Sequence, residues 1–197
     1  MDYRDYSCRH QYYQFESKIK KEQTNMQTNN KTATSMNTKM IEIRKQKLRK
    51  RFRSFTDVPN RLEKISVKNE VIFINDSKAE NVNATFFALQ SIRKPVVWIA
   101  GGDDATTDYW ELMSLVRQKV KAIVMIGKNN DRLVQFFSPV IKDIYEASQM
   151  DEAVNTAYRI SEPGTTVLLS PACKPDLNFA DYEDRGNRFK EAVLKRI

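Results

Sequence analysis

Four short apolar runs punctuate the chain beyond residue 60: 71–74 (Val-Ile-Phe-Ile), 96–100 (Val-Val-Trp-Ile-Ala), 122–126 (Ala-Ile-Val-Met-Ile) and 166–170 (Thr-Val-Leu-Leu-Ser). Runs of this length without polar alternation are the pattern of strands buried on both faces. Between them, apolar residues return at helical spacing. Tyr109, Leu112, Met113, Val116 and Val120 form one face, with Asp108 and Glu111 as a cap pair. Leu133, Phe136 and Phe137 form a second. Met150, Ala153, Val154, Ala157 and Tyr158 form a third, ended by Pro163-Gly164. Phe189, Ala192, Val193 and Ile197 form the last. Ile144-Tyr145 reads as a short edge strand, and 62–67 pairs with 71–74 as a hairpin across Asn69-Glu70. Alternating strands and helices predict an α/β fold: a doubly wound, mainly parallel, Rossmann-like sheet with helices on both faces.

The first third of the chain reads differently. Residues 1–35 lack periodicity, and Thr24 to Ser35 is almost wholly polar, the composition of a poorly ordered arm. From Met36 a helix is expected, because Met36, Met40, Ile43, Leu48 and Phe52 recur at roughly helical spacing among Arg44, Lys45, Lys47, Arg49 and Lys50. Residues 1–60 hold 14 Lys/Arg against 6 Asp/Glu, so the whole formal net charge of +8 sits there. Residues 61–197 hold 19 of each. A basic arm on a neutral domain is therefore the picture, with nucleic acid or an acidic partner as one reading of the arm.

Several classes of chemistry are excluded. All five glycines lie beyond residue 100, and no G-x-x-x-x-G-K-[ST] phosphate loop occurs in the 197 residues. Two cysteines, Cys8 and Cys173, and one histidine, His10, are too few for a zinc site of the usual ligand count. They suit a reducing cytoplasm better than a disulfide framework. No 18-residue apolar run is present, so no membrane span is expected.

The loops that follow parallel strands gather along one sheet edge, where ligands bind. That edge would collect Asn75-Asp76-Ser77-Lys78, Gly101-Gly102-Asp103-Asp104, Gly127-Lys128-Asn129 and Ser170-Pro171-Ala172-Cys173. An Asp can bond a ribose hydroxyl or hold a metal-bound water, and a Lys can neutralise phosphate. Cys173 has no His after it to act as a base, which favours a packed side chain over a nucleophile.

Taken in order, the segments Asn60-Arg61-Leu62-Glu63, Phe73 to Ala79 with Asn81, Ile99-Ala100-Gly101-Gly102, Leu168 to Cys173, and Tyr182-Glu183-Asp184-Arg185-Gly186 with Phe189 resemble the C-terminal domain of the Mur ligases, and among these the D-glutamate-adding members. The resemblance covers residues 36–197. It implies a C-terminal domain over 61–197, and it makes 36–60 similar to the end of the family's central ATPase domain. The family uses ATP and magnesium in peptidoglycan synthesis, phosphorylating a carboxylate that the amine of D-glutamate then attacks. By resemblance, Arg61 would reach the ATP phosphates, and Asp76 and Lys78 the ribose–phosphate region. The alternative for Arg61 is a surface salt bridge to Glu63.

The D-glutamate side departs from the family. Its Thr is Glu80 here, its Lys is Ala105 and its Ser is Pro175, whereas the aromatic that closes the site is kept as Tyr182. An eroded D-glutamate site is the expectation. The UDP-binding domain and the central domain with its phosphate loop are not represented in these residues. The chain is thus expected to be a truncated ligase, a gene remnant or the product of a split gene. It would be inactive alone, bind no cofactor tightly, supply no catalytic residue or metal ligand, and work only if the other domains are supplied in trans. A free-standing binder of ATP or another small ligand through Arg61, Asp76 and Lys78 is a further reading.

Overall fold

The computed structural model describes residues 58–103, 106–127 and 130–196. The arm (1–35) and all but the last three residues of the 36–60 segment lie outside them, while 58–60 form a bend and turn rather than helix. The remainder holds a six-stranded sheet in the order β1-β2-β6-β3-β4-β5. Its strands are β1 (Glu63–Lys68), β2 (Val71–Asn75), β3 (Val96–Ala100), β4 (Val120–Ile126), β5 (Asp143–Ala147) and β6 (Thr166–Leu169). Five strands run parallel, and only β1 is antiparallel, joined to β2 by the expected hairpin. Asn69 (φ 49°) and Glu70 (φ 63°) make its turn. Two successive left-handed residues suit the right-handed twist of the flanking strands.

The helices are α1 (Val82–Ser91), α2 (Met113–Lys119), α3 (Asp131–Phe137), α4 (Met150–Arg159) and α5 (Tyr182–Leu194), with a 3-10 turn at Trp110–Leu112 leading into α2. The chain steps outward from β2 through β3 and β4 to β5, then crosses back through α4 to place β6 between β2 and β3. That reversal explains the two layers. Val96, Trp98 and Ala100 pack towards α1, α2 and α3, whereas Val97 and Ile99 pack towards α4 and α5. Alternation along a buried strand feeds both cores.

Three local readings need correction. Val120 does not continue the helical face: α2 ends at Lys119 and Val120 opens β4, paired with Val96. Asp108 accepts from the N–H of Trp110 at 3.1 Å, a turn leading into the 3-10 helix, whose N-cap residue is Tyr109 rather than Asp108. Helix α1 was not anticipated, because its apolar residues are spread around the axis and Phe87 is exposed. Its signal is Asn81, whose side-chain oxygen accepts from the N–H of Ala84 at 2.9 Å.

Candidate functional site

The loops after β2, β3 and β6 do meet at the carboxyl edge of the sheet, and Gly127 after β4 lies against Gly102, while Asp104, Lys128 and Asn129 lie outside the described residues. Asp76 N–H donates to Leu169 O (2.8 Å), Gly101 N–H to Pro171 O (3.1 Å) and Ala172 N–H to Ala79 O (3.0 Å). Asp103 and Lys174 form an isolated antiparallel bridge. Gly102, at φ 146°, allows that approach: a Cβ there would lie 2.4 Å from Lys174 O.

Asp76 is buried, and its carboxylate is held from within. Leu62 N–H donates to Oδ1 at 3.1 Å and Ser170 Oγ–H to Oδ2 at 2.9 Å, with Ser170 Oγ a further 2.9 Å from Thr85 Oγ1. Burial pushes its pKa up to about 7, although the bonds from Ser170 and Leu62 and the nearby charge of Arg61 pull the other way. Arg61 itself is exposed. Glu63 Oε2 lies 3.0 Å from Lys190 Nζ and accepts from Asn60 N–H at 2.9 Å.

Lys78 and Tyr182 come together. Lys78 Nζ lies 3.1 Å from Tyr182 Oη and 4.8 Å from the ring centre. Tyr182 opens α5, whose N-cap is a reciprocal pair: Asp181 Oδ1 accepts from Asp184 N–H (2.8 Å) and Asp184 Oδ2 from Ala180 N–H (3.1 Å). One turn further, Arg185 is fully buried. Its Nη2 donates to Ser77 O at 2.9 Å, its Nε to Ser77 Oγ at 3.1 Å, and both terminal nitrogens reach Cys173 O at 3.4 Å. Desolvation lowers its pKa to about 10, opposed by Cys173, Glu80 and Asp176. Arg185 thus ties the loop after β2 to the loop after β6.

The profile of the family described as "Mur ligase, glutamate ligase domain" matches residues 60–173. The chain belongs to the Mur ligase family. Among curated relatives, a UDP-N-acetylmuramoylalanine–D-glutamate ligase of Christiangramia forsetii is 49% identical over 164 residues, 83% of this chain and 37% of that protein. The enzyme of the same name from Porphyromonas gingivalis is 43% identical over 165 residues, 84% of this chain and 37% of its own length. The chain therefore spans little more than a third of the curated relatives it matches. Among solved structures, a UDP-N-acetylmuramate–alanine ligase of Thermotoga maritima overlaps 73% of this chain and 32% of its own, at 15% identity and a TM-score of 0.48.

Within this Mur ligase domain the anticipated residues divide. Arg61, Asp76, Lys78 and Tyr182 all lie at the carboxyl edge, with Lys78 and Tyr182 in direct contact. Glu80 is half-buried, and its charge acts on Arg185. Pro175 is half-buried in the loop after β6, and Ala105 lies outside the described residues. Ser170 and Arg185 were read only as parts of motifs, and the structure gives both a role in holding the site. The available signal for Arg185 was its spacing, three residues after Tyr182 on one helix face. Cys173 is buried, with its thiol 3.4 Å from Pro171 O. Among the described residues no three Asp, Glu, His or Cys side chains converge to hold a metal, and no helix is long and apolar enough to cross a membrane.

Proposed function

We propose that this domain is the glutamate-ligase part of an ATP-dependent, ADP-forming enzyme of the UDP-N-acetylmuramoylalanine–D-glutamate ligase type, in cytoplasmic peptidoglycan synthesis, with its nucleotide-facing groups kept and its amino-acid pocket altered. The contact between Lys78 and Tyr182 supports the reading best. It joins a group assigned to the nucleotide side to one assigned to the amino-acid side.

Arg61 and Lys78 fit an anionic phosphate chain: one is an exposed guanidinium, the other an ammonium held by a neutral hydroxyl it can leave. ATP, when bound, supplies the phosphoryl group that activates the carboxylate of the acceptor. Asp76, with both oxygens occupied, suits holding Leu62 more than direct contact with a ribose. Magnesium has no ligand set among the described residues, so it is not assigned one in this domain.

The altered pocket is an electrostatic matter. Glu80 brings a negative charge and Ala105 lacks a positive one, so a dicarboxylate meets repulsion where it needs a cation. One such charge at 4 Å amounts to roughly 4 kcal/mol at an effective dielectric near 20, before screening. Without a phosphate loop in its 197 residues, the chain by itself has no cradle for a triphosphate.

The test is ADP release by the purified chain given ATP, magnesium, D-glutamate and the UDP-N-acetylmuramoylalanine acceptor, with and without the first two-thirds of a relative ligase. No release from the chain alone is expected. Release at an ordinary enzyme rate from the chain alone would overturn the reading.

A further inference from the structure

Arg61 stands between two residues in a conformation that side chains rarely adopt: Asn60 at φ 60° and Leu62 at φ 44°. Neither is glycine, so the surroundings must hold them there. Three groups do so. Asn75, fully buried at the end of β2, donates from Nδ2 to Asn60 Oδ1 at 2.8 Å, while its own Oδ1 accepts from Ser77 N–H at 3.1 Å. Asp76 Oδ1 accepts from Leu62 N–H. Lys78 N–H donates to Asn60 O at 3.1 Å.

A fourth contributor is Gly186, in the second turn of α5. A Cβ at Gly186 would lie 2.2 Å from Asn60 Oδ1 and 3.1 Å from Asn75 Nδ2. The amide pair therefore sits where a side chain would be. Gly186 has an ordinary helical backbone, so its lack of a side chain matters for space and not for conformation.

We propose that Asn75, Asp76 and Gly186 are positioning residues for Arg61. They clasp its two neighbours and fix the backbone orientation from which the Arg61 side chain starts. This rests on the reading of Arg61 as a phosphate-facing group. An arginine on a free turn would spread its charge over many backbone directions, and held on both sides it starts from one and samples fewer positions.

The test uses the full 197-residue chain and three variants: Arg61→Ala, Gly186→Ala, and Gly186→Ala combined with Asn60→Gly. Amide hydrogen exchange at Asn60, Leu62 and Lys78 reads the clasp, and titration with inorganic tripolyphosphate reads Arg61. Arg61→Ala should weaken tripolyphosphate by about tenfold while leaving exchange unchanged, the loss of one charge-assisted contact. Gly186→Ala should weaken it by a similar factor and expose the three amides, with exchange in β3 and β4 as before. The double variant removes the collision but also the Asn60 Oδ1 that Asn75 grips, so it should recover protection at Leu62 and Lys78, whose acceptors Asp76 Oδ1 and the residue-60 carbonyl remain, and only part of the binding.

Gly186→Ala binding tripolyphosphate as well as the parent would overturn the positioning role alone. No binding by the parent, with its three amides protected, would overturn the phosphate assignment of Arg61 and the positioning role with it. A Gly186→Ala chain that also loses protection in β3 and β4, and is not recovered by Asn60→Gly, would show a core defect and overturn the proposal too.

Discussion

Lys78 and Tyr182, 104 residues apart in the chain, share one contact: the ammonium lies 3.1 Å from the phenol oxygen and over the face of the same ring. The hydroxyl is tied in turn to Glu183 at 2.9 Å. Tyr182→Phe keeps the ring face and loses the oxygen, so it should cost under ~1 kcal/mol of stability. Tyr182→Ala removes both and should cost ~1–2 kcal/mol. Urea unfolding of the two variants measures the difference. Equal losses would mean that the ring face contributes nothing to holding Lys78.

Asp76 makes stability depend on pH in an unusual direction. Its carboxyl titrates at about 7 in the folded chain against 3.8 for an exposed aspartate, because burial disfavours the charge. The folded state therefore binds the proton more tightly than the unfolded state. This contribution is fully present below about pH 4, declines as pH rises towards about 7, and is gone above it. Asp76→Asn can keep the bond from Leu62 N–H and reverse the other, its Nδ2 donating to Ser170 Oγ, without a charge. It should melt close to the parent at pH 5 and above it at pH 8. Parallel melting curves for the two proteins across that range would show that burial of Asp76 does not carry a charge penalty.

Arg185 holds two site loops through Ser77 and Cys173. Arg185→Ala would strand the buried Ser77 and Cys173 carbonyls and open a cavity, a loss of at least ~3 kcal/mol. Arg185→Lys restores the charge but not the fork that reaches both loops, and should recover less than half of it. Chemical denaturation with both variants checks the order. A fully recovered lysine variant would mean that charge, not geometry, ties the loops.

The sheet was legible because its central strands are unbroken apolar runs. Val96 to Ala100 can only be covered on both faces, and the alternation of Trp98 with Val97 and Ile99 follows from that. Helix α1 was not, since Ala84, Phe87 and Ala88 spread apolar residues around the axis and blur the stripe that Val82, Phe86 and Leu89 share. In the site, Asn75 to Lys78 were legible from their place after a strand. Their partners were not. A polar residue at a strand end reads as facing a ligand, yet the donors to Asp76 come from Leu62 and from Ser170, 94 residues away. Arg185 ran against expectation because an arginine is rarely fully buried, and only the fold brings carbonyls from two loops to meet it.

The most direct test is a chimera in which residues 60–197 replace the matching third of the Christiangramia forsetii ligase, assayed for ADP release with D-glutamate. The account predicts a weak or silent chimera that gains activity by at least about a hundredfold when Glu80→Thr and Ala105→Lys are introduced, the loss of one repelling charge and the gain of one cation. Full activity without those changes would contradict the altered pocket, and a chimera that folds but stays silent with them would contradict the assignment of this domain to D-glutamate ligation.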